Sequence, residues 1–270
     1  MIKELYYASN EYNPSAPLEN IMTRFRVCTY NIHKGLSPFN LRAILSSLKT
    51  FLHSTNSQIV MLQEVIGSHT RFRARHGSSF IEKQFEFLAD TVWSQYAYGK
   101  NAVYPSGDHG NALLSKYEIK EHHNYPISVR AREKRGLLYS KLLINNEKIL
   151  HCFNTHLNLR SGDRKMQIKH ISEIVNSLCD KGDSLILAGD FNDWRNELSP
   201  IIKSELNLDD TRLYFQENKF ATFPSTYPLL SLDRIYFRGL KLHSSEVLKP
   251  ASKFLGSDHL PLIADFEVIK

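Results

Sequence analysis

No apolar run in this chain approaches the roughly 18 residues that cross a bilayer, so no membrane-spanning helix and no stable membrane insertion is expected. Cysteine is scarce. Cys28, Cys152 and Cys179 have no metal-binding spacing, and two of them sit inside apolar runs, which suits buried, reduced thiols in a cytosolic protein. The first 23 residues are polar, carry Glu4, Glu11 and Glu19, and lack the apolar centre of a secretory signal. Residues 1–24 are therefore read as an N-terminal arm, residues 25–270 as one domain, and the location as cytoplasmic. Internal repeats, low-complexity tracts and interdomain linkers are also missing. Charge is close to balanced: Lys+Arg 34 against Asp+Glu 28 leaves +6 over 270 residues. That excess is compatible with a polyanionic substrate without demanding one.

The chain does have apolar content of 42%, enough for a sizeable core, and many short strand-like runs. Strands are expected at Phe25–Tyr30, Gln58–Leu62, Ala97–Tyr104, Asn111–Leu114, Leu137–Ile144, Ile149–Asn154, Leu185–Ala188, Arg234–Phe237 and Leu262–Val268. The Asn145-Asn146 pair fits a tight hairpin between two of them. Helical spacing predicts three helices. One is capped by Asn40, with Leu41, Ile44, Leu45, Leu48 and Leu52 on one face. A second lies around Ile81–Trp93, with Phe85, Leu88, Ala89 and Val92 inward. The third is Asp163–Cys179, with Ile168, Ile171, Val175 and Leu178 inward. Arg71–Gly77 reads as a loop. Many strands with few helices predict an α/β sandwich of two packed sheets with helices outside.

Five polar strings end or follow these runs: Thr29-Tyr30-Asn31-Ile32-His33, Gln63-Glu64, Asn154-Thr155-His156-Leu157, Gly189-Asp190-Phe191-Asn192 and Ser257-Asp258-His259. A carboxylate closing Ile59–Leu62 is costly unless paired, and a divalent cation would pair Glu64. The Asn31 amide could orient a water or a phosphate oxygen; as a residue after a strand it equally fits a turn. Asp190 and Asn192, two apart, point the same way if the strand continues, the carboxylate holding water and the amide a transition-state oxygen. An Asx turn is the competing reading. His259 could take a proton from water if Asp233 fixes its tautomer. His156 could donate to a phosphate oxygen.

Taken in order, these strings resemble the endonuclease/exonuclease/phosphatase (DNase I-like) superfamily over about residues 25–268. Gly99–Pro105, His109–Ser115, Lys134–Leu138 and Thr222–Ser225 further resemble a YbhP-like bacterial subfamily. The resemblance implies a four-layer α/β sandwich of two mainly antiparallel sheets flanked by helices, and a phosphoesterase dependent on Mg²⁺, with Mn²⁺ as the alternative. Carried over by motif, Glu64 is the main metal ligand, with Asn31 beside it and Asp258 near the metal. Asp190 and Asn192 position water and phosphate, His156 stabilises phosphate oxygens, and Asp233 and His259 form an acid–imidazole pair. The superfamily leaves open whether Asp190 or His259 is the base. His33 stands where abasic-site endonucleases usually have Asp or Asn. Arg135, His109 and Asn111 are the expected contacts to substrate phosphate.

Two basic segments, His69–His76 and Arg130–Arg135, flank these strings, and Phe72 could stack on a base. The loop Ala221–Leu232 leads to Asp233 and could form a wall of the pocket or simply pack. The expected activity is in-line hydrolysis of a phosphodiester, with DNA as the leading substrate and no obligate protein partner for a monomer. The alternatives are a phosphatase or phospholipase C/D-like hydrolase of a lipid or small phosphate, and a non-catalytic binding module on the same fold.

Overall fold

Strands buried on both faces form the centres of two six-stranded sheets. The computed structural model describes residues 24–37, 42–144, 148–215, 220–249 and 256–269. The arm up to residue 23, the Asn40 cap with Leu41, and the Asn145-Asn146 turn lie outside them. The first sheet contains β1 (Arg24–Asn31), β2 (Ile59–His69), β3 (Gln95–Tyr104), β4 (Gly107–Ser115), β11 (Leu240–Val247) and β12 (Leu262–Val268), in the order β11-β12-β1-β2-β4-β3. The second contains β5 (Glu118–Pro126), β6 (Gly136–Ile144), β7 (Lys148–His156), β8 (Leu185–Asp190), β9 (Asp209–Asp210) and β10 (Asp233–Arg238), in the order β5-β6-β7-β8-β10-β9. Each sheet is antiparallel except at one pair, β1 with β2 and β7 with β8.

Helices cover the outer faces. α1 (Leu45–Ser54) and α3 (Gln84–Ala89) pack on the first sheet through Leu48, Leu52, Leu88 and Trp93. α4 (Ser161–Leu178) and α5 (Ser199–Leu206) cover the second through Ile168, Ile171, Val175 and Ile202. Between the sheets lie Val27, Met61, Leu113, Cys152, Ile186, Ile235 and Phe266, all buried. This is the expected four-layer α/β sandwich. Each fully buried aliphatic side chain contributes roughly 1.5–3 kcal/mol. All three cysteines are free and buried, as expected.

The central layer positions the site. Going along a strand, the inward positions run apolar and then turn polar at one edge. β1 reads Phe25, Val27, Thr29, Asn31; β2 reads Ile59, Met61, Gln63; β7 reads Leu150, Cys152, Asn154, His156; β8 reads Ile186, Ala188, Asp190. The polar ends meet across the gap. Gln63 Nε2 donates to Asn154 Oδ1 at 2.7 Å, and Asn154 Nδ2 donates to the carbonyls of Leu62 and Ala112 at 2.9 and 2.8 Å. Asn111 Nδ2 donates to the carbonyls of Gly136 and Asn154 at 3.1 and 3.2 Å. These amides lock the sheets together directly beneath the site.

Several expected boundaries change. Arg71–Gly77 is not a loop: α2 spans Thr70–His76. His69 Nδ1 accepts from the Phe72 amide as its cap, and Phe72 stacks on the His69 ring at 4.0 Å. The helix expected at Ile81–Trp93 is confined to Gln84–Ala89, because Lys83 and Asp90 take positive φ at its two ends. β5 and β11 carry too few apolar residues in period to be read from the chain, whereas α5 with its cap does space Leu198, Ile202 and Leu206 four apart, a signal the reading from sequence missed; its start is fixed by Asp193, whose carboxylate accepts from the Glu197 and Leu198 amides.

Candidate active site

Asp190 is the hub. Gly189 precedes it with φ of 144°, and a Cβ there would sit 1.9 Å from the Thr155 carbonyl oxygen, so only glycine lets β8 run this close to β7. Beyond Asp190 the extended backbone stops: Phe191 turns into the core under α4, and Asn192 takes φ of 51°. The Asn192 amide donates to Asp190 Oδ1 at 3.0 Å, which is the Asx turn, and Asn192 Nδ2 donates to the Leu157 carbonyl at 3.0 Å. The two side chains are thus near each other through a turn, and the strand continuation considered from sequence does not hold.

Asp190 Oδ2 accepts from Asn31 Nδ2 at 3.1 Å, and the Nε2 atoms of His156 and His259 stand 3.5 and 3.6 Å away. His259 Nδ1 pairs with Asp233 Oδ2 at 2.8 Å, the expected acid–imidazole pair. Burial opposes charge on His259, but Asp233 and then Asp190 outweigh it and raise its pKa to about 10. His156 goes the other way: burial, reinforced by the Arg135 charge, lowers it to about 4. Of the two imidazoles, His259 is therefore cationic near neutral pH and His156 neutral.

Glu64 is placed by a bulge. Leu62 pairs with Ala112 and Val65 with Gly110, so Gln63 and Glu64 together oppose Asn111, and Glu64 takes φ of 55°. The extra residue breaks the alternation and aims the carboxylate at the site. Asn31 Nδ2 lies 3.4 Å from Glu64 Oε1, and Lys34 Nζ lies 3.0 Å from Oε2. Burial works against ionisation here, but the Lys34 ammonium outweighs it and holds the Glu64 carboxyl far below the usual range. Asp258 pairs with His33 at 3.1 Å and is lowered by that bond against the cost of burial. Ser257 Oγ donates to the Asn31 carbonyl at 2.6 Å, tying this loop to β1.

The donors suit a hard dication. Glu64, Asp190, Asp233 and Asp258 supply carboxylate oxygens with no thiolate among them, and Asp233 Oδ1 is buried without a hydrogen-bond donor. Ligand atoms of Asp190, Asp233 and His259 lie within 4.8 Å of one another. Asn31 points its nitrogen at the carboxylates while its Oδ1 accepts from the His33 amide. Lys34 holds the cationic position beside Glu64.

The structure thus brings together Asn31, Glu64, His156, Asp190, Asn192, Asp233, Asp258 and His259. Arg135 and His109 lie at the margin: the Arg135 charge acts on His156 and on His109, and His109 is lowered by burial and stacks on Tyr104 at 5.8 Å. Asn111 is instead buried between the sheets with its amide nitrogen committed to two carbonyls. The readings from sequence missed Lys34, for which the chain gives no signal. They also gave no role to Gln63 and Asn154, whose place inside the quoted strings was the available signal.

A family model described as Endonuclease/Exonuclease/phosphatase family matches residues 28–259. The Escherichia coli (strain K12) protein YbhP is 41% identical over 246 residues, covering 90% of this chain and 96% of that protein. Among solved structures, a humanized D. rerio TDP2 superposes with a TM-score of 0.69 at 17% identity, over 90% of this chain and 98% of that one. The Bacteroides thetaiotaomicron VPI-5482 mannosyl-6-phosphatase gives 0.68 at 16% identity, over 90% and 99%. At these identities the structural likenesses speak for the fold.

Proposed function

The chain belongs to the endonuclease/exonuclease/phosphatase family of phosphate-ester hydrolases, and from that premise we propose that it hydrolyses phosphodiesters of DNA by in-line attack of water. The carrying observation is the ring of groups around Asp190: two amides, two imidazoles and the Asp233 carboxylate behind His259. In this reading the Asp190 carboxylate orients the attacking water and receives its proton, while Asn31 and the Asn192 amide keep it from rotating. His259, clamped between Asp190 and Asp233, presents an Nε2–H to developing negative charge. Neutral His156 donates to a phosphate oxygen, and preorganised donors of this kind need no reorganisation as charge develops. Glu64, with Asp258 near it, would hold Mg²⁺ or Mn²⁺, while Asn31, whose Nδ2 faces Glu64 and Asp190, would orient those carboxylates. A bound dication supplies neutralisation of the phosphate oxygens. Arg135 and His109 extend the phosphate contact; no comparable role remains for the Asn111 amide nitrogen.

A phosphatase acting on small phosphate esters is the second reading, favoured by one of the similar folds carrying the name mannosyl-6-phosphatase. The deciding experiment measures product from supercoiled plasmid, an abasic-site duplex, bis-p-nitrophenyl phosphate, mannose 6-phosphate and phospholipids, with Mg²⁺, Mn²⁺ or EDTA. Wild type, Glu64→Ala and His259→Ala are compared. Metal-dependent DNA cutting lost in both variants supports the nuclease reading. Turnover of monoesters or lipids alone overturns it in favour of the second. No turnover on any substrate leaves a non-catalytic module.

A further inference from the structure

Two strings far apart in sequence, Gly99–Pro105 and Lys134–Leu138, belong to different sheets, and of their residues only Arg135 is used by the Asp190 site. They meet where β3, the edge of the first sheet, lies against β5 and β6. A groove of about 440 Å³ opens there, lined by Lys100, Asn101, Asn124, Ser128, Lys134 and Arg135. Its wall is built closely. A Cβ on Gly99 would approach Asn124 Oδ1 to 2.4 Å, and one on Gly136 would approach Asn101 Oδ1 to 2.0 Å. The two glycines therefore make room for an amide pair, in which Asn124 Nδ2 donates to Asn101 Oδ1 at 3.0 Å and to the Lys100 carbonyl at 3.1 Å.

The groove keeps unspent polar capacity. Arg135 Nε is buried without an acceptor, although its Nη2 reaches Glu133 at 3.2 Å. Lys100 is half-exposed and pairs with the buried Asp108 at 3.2 Å, leaving the open side of its ammonium to an incoming anion. Lys134 adds a third cation. Val103 and Pro126 give the groove an apolar side, and the half-exposed Tyr104 ring stands next to it, stacked on His109. Cations with an apolar side and an exposed ring match a phosphate, its sugar and a base. The groove also adjoins the chemistry: Leu137 pairs with Thr155, which places Arg135 and Gly136 alongside His156.

We propose that this groove is a second anion subsite, which takes a flanking phosphate of a DNA strand whose neighbouring phosphodiester lies at Asp190. It rests on the nuclease reading and sharpens it, because an isolated phosphate ester would leave the subsite empty. The test reads binding separately from turnover. Anisotropy of a fluorescent single-stranded oligonucleotide is measured in EDTA over a range of salt. The proteins are wild type, Lys100→Ala/Lys134→Ala, and the control Lys169→Ala/Lys181→Ala on exposed positions elsewhere. Losing the contact to one phosphate should reduce the salt slope by about 0.7, the value per phosphate for a single strand, and the control should keep it. An oligonucleotide with one neutral methylphosphonate at the flanking position should bind wild type at least about tenfold more weakly and the groove variant no more weakly than the native strand does. Equal slopes in all three proteins, or an equal methylphosphonate penalty in wild type and groove variant, would overturn the subsite. Turnover of DNA without the slope change removes the subsite and keeps the nuclease. The slope change without turnover keeps the subsite and removes the chemistry.

Discussion

Two amides and two imidazoles converge on Asp190, so replacing it tests the chemistry with little change of shape. Asp190→Asn keeps the side-chain shape and is expected to lower kcat by about 10²–10⁴-fold with only a small drop in melting temperature from the lost Asp190–His259 attraction, read by initial rates on the best substrate and by thermal unfolding. A loss below tenfold would move the water-orienting role elsewhere. Gly189 is the opposite case. Gly189→Ala drives a Cβ against the Thr155 carbonyl in a backbone conformation that alanine avoids, and should cost about 3 kcal/mol or more in urea unfolding. Lys34 offers a third test. Its ammonium holds the cationic place beside Glu64, so Lys34→Ala should tighten Mn²⁺ binding several-fold by calorimetry. Weaker Mn²⁺ binding would show that Lys34 supports the carboxylate instead of competing for it. Lys34 illustrates what single residues conceal: it reaches Glu64 only because it and His33 take positive φ, and nothing in Ile-His-Lys-Gly announces that turn.

At the scale of elements, strands were legible where they are buried and obscure where they are not. β8, Leu185–Asp190, is buried at every position and reads as a strand at once. β5, Glu-Ile-Lys-Glu-His-His-Asn-Tyr-Pro, lies at a sheet edge, largely exposed, and has no apolar alternation to read. α2 was hidden for a related reason, because its buried contact is one ring, Phe72, over His69 and Phe80. The polar strings were recognisable as a set, yet their division of labour was not. Asn154 sits two residues from His156 on the same strand face, but its amide bonds Leu62, Ala112 and Gln63 across the sheets. Asn154→Ala should therefore cost about 3 kcal/mol through buried groups left unpaired, and combining it with Gln63→Ala should cost clearly less than the sum, since the two share a bond. Strict additivity in the unfolding free energies would refute the inter-sheet tie.

The whole molecule adds a pH signature. His151, His156 and His109 have pKa values lowered chiefly by burial, so the unfolded chain takes up protons that the fold refuses. Their contribution to stability is present above the ordinary histidine value of about 6.5 and is lost as pH falls below it. His259 has the reverse sign: raised to about 10, it stabilises fully below about 6.5 and that contribution is lost as pH rises through about 10. Urea unfolding across pH 5–10 should show stability declining on both sides of near-neutral pH. His151→Gln should flatten the acid limb, and His259→Gln the alkaline limb; an unchanged limb in either variant would contradict the assignment.

The connectivity carries one more consequence. The second sheet is a single unbroken stretch of chain, β5 to β10, inserted into the first, whose β1 stays unpaired on one side until β12 arrives between it and β11. The loop just before β12 also delivers Asp258 and His259. A ribosome must therefore pass residue 259 before Asp258 and His259 can join Asn31 and Asp190, and a nascent chain stopped short of that point lacks both groups. Synthesis order thereby makes the closing of this centre a late event, after every strand of the second sheet has been made.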